Sequence, residues 1–326
     1  MRATWIFFAL AAATLIFVMV LRPGPGPAMD ERPDSLPRGE AGPVVADGRE
    51  ARRESPRRVL DEGDGLRTEA GTRLQAQDEN ERPAGGYDTV GAAFHASDDY
   101  LAFVDEVIEA ADGGDAAARY YIGRILAECQ LAVRQFDGEY PDEYTLSTAI
   151  PDDMNPQVND LMQRQVARCR GFFDEDMSLY GAADDWMRAA AEDGYGPAVM
   201  RQGISDYRMY QAGRSADFDP DQLVQVLRDR NPDTLAYASQ LSAIHGDSRA
   251  DETAWLMLAC EYGQDCSANS DWVQALCLQQ GCPPSFDGAE DALSVLLTPG
   301  ELEQARDRMA ELERALDAGD FDGLFR

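Results

Sequence analysis

In the stretch SDDYLAFVDEVIEAADGG, apolar residues recur at Tyr100, Phe103, Val104, Val107, Ile108 and Ala111, that is at i, i+3, i+4, i+7, i+8 and i+11. This spacing draws one stripe along an α-helix but would scatter over both faces of a strand, so the segment can be buried only as a helix packed on other helices. Ser97 is expected to cap its start and Gly113 or Gly114 its end. Ala118, Ile122, Ile125, Leu126, Cys129 and Val133 share a second helical face, and Val158, Leu161, Met162, Val166 and Cys169 a third. Capping side chains before Pro or Gly at Asn155, Asp219, Asn231, Asp287 and Thr298 mark further starts. About ten helices are expected between residues 89 and 326, with no alternating strand pattern, so this region is read as all-α.

Two different segments precede it. Ala3 to Leu21 is an almost unbroken apolar run bounded by Arg2 and Arg22, long enough to cross a hydrocarbon core of about 30 Å. It keeps bulky residues to its end and lacks a small-x-small cleavage box, so residues 1–22 read as a transmembrane signal-anchor, with a cleaved signal peptide as the alternative. From Arg22 to Asp88 the chain holds eight of its 17 prolines, eleven arginines, fifteen acidic residues and no aromatic before Tyr87. Such a composition cannot bury enough apolar surface to offset ordering, and residues 23–88 read as a disordered linker. Its r.m.s. reach would be about 40 to 50 Å. The arginines of REARRESPRR, residues 49–58, are interleaved with Glu50 and Glu54 and read as part of a polyampholyte.

Charge removes several functions. The chain has 29 arginines and no lysine against 60 acidic residues, a net charge of -31. No Schiff-base or phosphate-loop lysine is possible. A nucleic-acid partner is disfavoured because two polyanions would have to meet. The two histidines, His95 and His245, exclude a multi-histidine metal site, and no cofactor or small-molecule substrate is expected. The acidity concentrates in residues 89–326, where 17 arginines face 45 acidic residues for a net of -28. A basic protein surface is the partner this field favours.

An array of short helices calls for a repeat search. Ala110, Ala111, Gly114, Ala118 and Gly123 recur 80 residues later as Ala190, Ala191, Gly194, Ala198 and Gly203. WMRAAAEDG from Trp186 recurs 69 residues later as WLMLACEYG from Trp255. Small residues let two helices approach closely, and the glycine after the first helix permits a left-handed turn. This frame resembles the Sel-one-like repeats, relatives of the tetratricopeptide repeats. Trp186, Ala190, Ala191, Gly194, Ala198 and Gly203 match the family pattern, while Glu106 replaces the tryptophan of the first copy and the third departs after Gly263. Gln202 stands where the family places leucine. The resemblance covers about 100 residues and implies a helix-hairpin α-solenoid, or right-handed superhelix, that holds protein partners on a concave face. It implies a groove lined by the first helix of each hairpin, with Trp186, Arg188, Trp255 and Tyr262 as candidates.

The six cysteines divide into a distant pair and a cluster. Cys129 and Cys169 lie on apolar faces of two helices that would pack antiparallel, and a disulfide between them is expected. Cys260, Cys266, Cys277 and Cys282 have poor spacing for zinc, since only the last interval matches a metal knuckle. An even count beside an export signal favours two disulfides. Nested pairing, Cys260 with Cys282 and Cys266 with Cys277, suits an antiparallel hairpin.

Apparent catalytic signals have simpler readings. Asp217, Asp219 and Asp221 lack the glycine and glutamate of a calcium loop, so Asp219 before Pro220 reads as a helix cap. His245 before Gly246 reads as a helix C-terminal residue. His95 has no nucleophile near it in sequence. Asp184 with Asp185, and Glu175 with Asp176, resemble glycosidase pairs only as any two of 45 acids would. The expected molecule is a single-pass protein of a bacterial inner membrane whose acidic domain faces the periplasm as a protein-interaction scaffold. The alternative is a cell-envelope enzyme, a cell-wall glycan hydrolase using carboxylates that the sequence does not single out.

Overall fold

A computed structural model describes residues 86–142, 145–146, 156–214, 218–280 and 287–320. The apolar run 3–21 and the linker up to residue 85 lie outside the described residues. Among those described, no helix is long and apolar enough to cross a membrane.

The described chain is all-helical, with twelve α-helices and no strand. They are α1 (Thr89–Ala96), α2 (Tyr100–Asp112), α3 (Ala116–Gln135), α4 (Pro156–Arg168), α5 (Ala183–Glu192), α6 (Gly196–Gln211), α7 (Pro220–Leu227), α8 (Pro232–His245), α9 (Arg249–Glu261), α10 (Asp271–Gln280), α11 (Ala289–Leu296) and α12 (Pro299–Ala318). Two 3₁₀ turns, Arg170–Phe173 and Met177–Tyr180, join α4 to α5. Asp219 and Asn231 cap α7 and α8 with Pro in the first turn, and Thr298 opens α12 with a capping box to Glu301. Ser97 does not start the second helix. It ends α1, while Asp99 accepts the N–H groups of Leu101 and Ala102 to cap α2. Likewise Gly288, rather than Asp287, stands at the N-cap of α11.

The three small-residue frames form the same turn. Gly114, Gly194 and Gly263 have φ of 105°, 82° and 108°, a region open to glycine but strained for other residues. After each, the next N–H reaches back five residues: Asp115 to Ala110 (2.9 Å), Tyr195 to Ala190 (3.0 Å) and Gln264 to Ala259 (3.0 Å). Carbonyls left open at the helix end are thereby satisfied. The chain reverses, and α2 pairs with α3 and α5 with α6.

The longest contacts join α3 to α5, α8 to α9 and α9 to α12. α3 also meets α8 directly, across more than 100 residues of sequence: the Tyr120 and Tyr237 hydroxyls lie 3.0 Å apart, and the Tyr121 hydroxyl donates to Asp233 at 2.9 Å. One continuous core runs from α1 through α9 and takes in Leu312 and Leu316 of α12. A second, smaller core of Val273, Leu276, Ala289, Ala292 and Leu293 lies between α10 and α11.

Cys129 and Cys169 form the expected disulfide, with Cα atoms 5.3 Å apart inside the main core. Closing a loop of 40 residues stabilises the fold by about 4 kcal/mol on the chain-entropy view. The nested pairing is not what forms at the other cluster. Cys260 bonds to Cys266, not Cys282, with Cα atoms 5.7 Å apart. The turn at Gly263 sends the chain back beside the last turn of α9, and the N–H of Ala289 then holds the Cys266 carbonyl at 2.9 Å. Cys266 is therefore not available to Cys277. The Cys277 side chain and Cys282 lie outside the described residues.

Candidate partner groove

The four residues expected to line a concave groove do not do so together. Trp186 and Trp255 are core residues, 5% and 3% exposed. The Trp186 indole N–H donates to the Tyr180 carbonyl at 2.6 Å. Both indoles are taken up in the main core. Arg188 is exposed and paired with Asp185 one turn earlier. Tyr262 is half-buried, and its hydroxyl accepts from Arg230 at 3.0 Å.

A different groove opens between α6 and α7, with a volume of about 400 Å³. Ala191, Val199, Gly203, Leu223 and Phe218 give it an apolar floor, and Gln202, Asp206, Asp219 and Gln222 give it a polar rim. Two sequence features create it. α6 has 16 residues and α7 only eight, so at 1.5 Å per residue α7 covers about half of its neighbour. Gln202 then places a polar, exposed side chain beside Gly203 where an apolar one would close the seam. The approach at Gly203 is already tight, since an added Cβ would meet the Leu223 Cδ2 at 2.2 Å.

The rim carboxylates are oriented by the fold. Asp206 accepts from the Gln202 amide at 2.9 Å, and Asp219 accepts the Asp221 N–H at 3.0 Å as the cap of α7. Beyond the rim stands an aromatic shoulder. The Tyr207 ring is 4.8 Å from Phe218 and 6.0 Å from His245, and Tyr210 is 6.2 Å from Phe218. Met209 and Tyr210 are 40% and 51% exposed. The groove thus sets two acids and two amides beside an apolar floor. His245 ends α8 and lies 3.0 Å from Asp247, and Asp217 lies outside the described residues.

A second polar cluster was hidden from sequence reading. Asp233, in the first turn of α8, is buried and receives Tyr121, Arg124 (3.3 Å) and His95 (3.3 Å). Burial pushes its carboxyl up, but the Arg124 guanidinium and His95 outweigh it and hold the group below the usual carboxylate range. Desolvation raises the neighbouring phenols Tyr87, Tyr121 and Tyr195 above their ordinary value, so they stay protonated donors. Tyr87 donates to Gln264 and Tyr195 to Asp88 (2.8 Å), while the Tyr87 ring lies 4.2 Å from His95. These bonds join residues 87–95 to the turn before α6, to α8 and to the segment after α9, and the Phe94 ring stacks on Tyr121 of α3 at 4.6 Å. Their partners are separated by 107 to 177 residues, which no local motif encodes.

One carboxylate of each pair considered for hydrolysis is engaged locally. Asp176 accepts Ser178 N–H at 3.0 Å to cap a 3₁₀ turn, and Asp185 binds Arg188. Among the described residues, no group of three or more His, Cys, Asp or Glu is placed to hold a metal. No protein-family model, curated protein or solved structure matches this chain.

Proposed function

We propose that this chain is a protein-interaction module of a bacterial cell envelope, anchored by residues 1–22 and extended from the membrane by residues 23–88. In this reading the helix array is a Sel-one-like solenoid, and its binding surface is the α6–α7 groove rather than a face lined by the buried tryptophans. The observation that carries it is the groove itself, an apolar floor beneath a rim whose charged members, Asp206 and Asp219, are both acidic. The partner is a basic, extended protein segment, and the domain's charge of -28 accelerates its encounter.

Capture from an envelope extract with the full-length chain tests this, run at about 50 mM and about 500 mM salt, where screening lengths differ about threefold. The wild type should retain a basic partner at low salt. The double substitution Asp206→Asn and Asp219→Asn should lower retention about tenfold. Equal retention by both chains would remove the groove from the reading, and a glycan-hydrolysing activity abolished by either substitution would replace it with the enzyme.

A further inference from the structure

The groove lies close to the point where the tether joins the folded domain. Gly86 donates its N–H to the Arg230 carbonyl at 3.3 Å, and Tyr87 and Asp88 are held by Gln264 and Tyr195. Arg230 follows the last residue of α7 by three positions, while the groove is formed by the first turn of that helix. Eight residues of α7 span about 12 Å, so the anchored start of the domain and the groove are separated by roughly one short helix.

Upstream of this anchor runs REARRESPRRVL, residues 49–60. Five arginines against two glutamates give it a net charge of +3, and it ends in the apolar pair Val59 and Leu60. Its chemistry complements the groove in both respects, arginine for Asp206 and Asp219, and valine and leucine for the floor of Val199, Leu223 and Phe218. The 28 residues from Arg58 to Gly86 would have an r.m.s. span of about 30 Å if flexible, more than the separation requires. A segment on such a leash meets the groove at an effective concentration in the millimolar range.

We infer that residues 49–60 of this chain occupy the α6–α7 groove in cis, so that a basic partner must displace them to bind. This rests on the groove being the binding site, as proposed above. The tether is then also a competitor for the site it carries. Interleaved Glu50 and Glu54 weaken its hold, which keeps it displaceable.

The test uses the full-length chain with a photo-cross-linking phenylalanine analogue in place of Gln222. Cross-links to residues 49–60 of the same molecule are expected, at a yield independent of protein concentration. The yield should fall at least about fivefold at about 500 mM salt and in a variant with Arg52, Arg53, Arg57 and Arg58 changed to Ser. That variant without the analogue should capture more envelope partner than the wild type. Cross-links that avoid residues 49–60, or whose yield ignores the four substitutions, would overturn the cis occupant. The groove's own role is judged separately by Asp206→Asn with Asp219→Asn, so the two failures are distinguishable.

Discussion

The two clearest copies of the small-residue frame share a turn and differ in what covers them. In the first, Ala110, Gly114 and Gly123 lead into α3, whose 20 residues lie along α5 and reach α8. Ile122 is fully buried, and a Cβ on Gly123 would stand 2.6 Å from Met187 Cγ and 2.8 Å from the Ala183 carbonyl oxygen. In the second, Ala190, Gly194 and Gly203 belong to the turn and to α6, which packs on α8 and on the short α7, and beside α7 Gln202 is exposed. The same backbone reversal therefore produces a sealed seam in one place and an open groove in the other. The turn sets the direction of the chain, and the length of the covering helix with one side chain decides whether the face is core or surface.

Removing the carboxylate that ties α3 of the first copy to α8 should have the largest effect. Asp233→Ala would leave Arg124 and Tyr121 facing a buried site without their carboxylate, and a loss of about 3 to 5 kcal/mol is expected in urea unfolding. The pH dependence follows from the depressed carboxyl. Its contribution is fully present above the ordinary aspartate value near 4 and is lost as pH falls through the lower native value. Asp233→Asn should flatten this acid limb, and an unchanged limb would remove the node from the account.

Gly123→Ala ranks next, at about 2 to 3 kcal/mol, because its new methyl group meets backbone as well as Met187. Gly203→Ala meets only the side chain of Leu223, with no backbone among its near contacts, and should cost about 1 kcal/mol. Equal costs at the two glycines would erase the distinction between sealed and open copies. The smallest effect on stability should come from Gln202→Leu, about 0.5 kcal/mol in either direction. It restores the apolar residue of the repeat pattern at the rim, and partner capture should drop about tenfold while the fold is kept.

Local features were legible in the sequence. Periodicity located α2 and α3, proline-linked caps located α7, α8 and α12, and the frame glycines marked three matching turns. Gln202 was visible as a departure from the pattern, though its meaning required the short α7 beside it. Features dependent on distant residues were not legible. Nothing near His95 or Arg124 announces Asp233, because their meeting depends on how α3 and α8 pack. A tryptophan conspicuous in sequence is conspicuous for its volume, and here that volume lies in the core. A nested pairing of the cysteine cluster presumes a simple hairpin reversal, whereas the Gly263 turn brings Cys266 back to its near neighbour Cys260.

The bond between Cys129 and Cys169 closes a loop of 40 residues that includes the connection from α3 to α4. Any single peptide-bond cut between those positions leaves both pieces joined through sulfur. A protease acting there would nick the molecule without dividing it, and the nicked form would separate into two bands only after reduction. After such a cut α3 and the segment that follows α4 stay covalently paired.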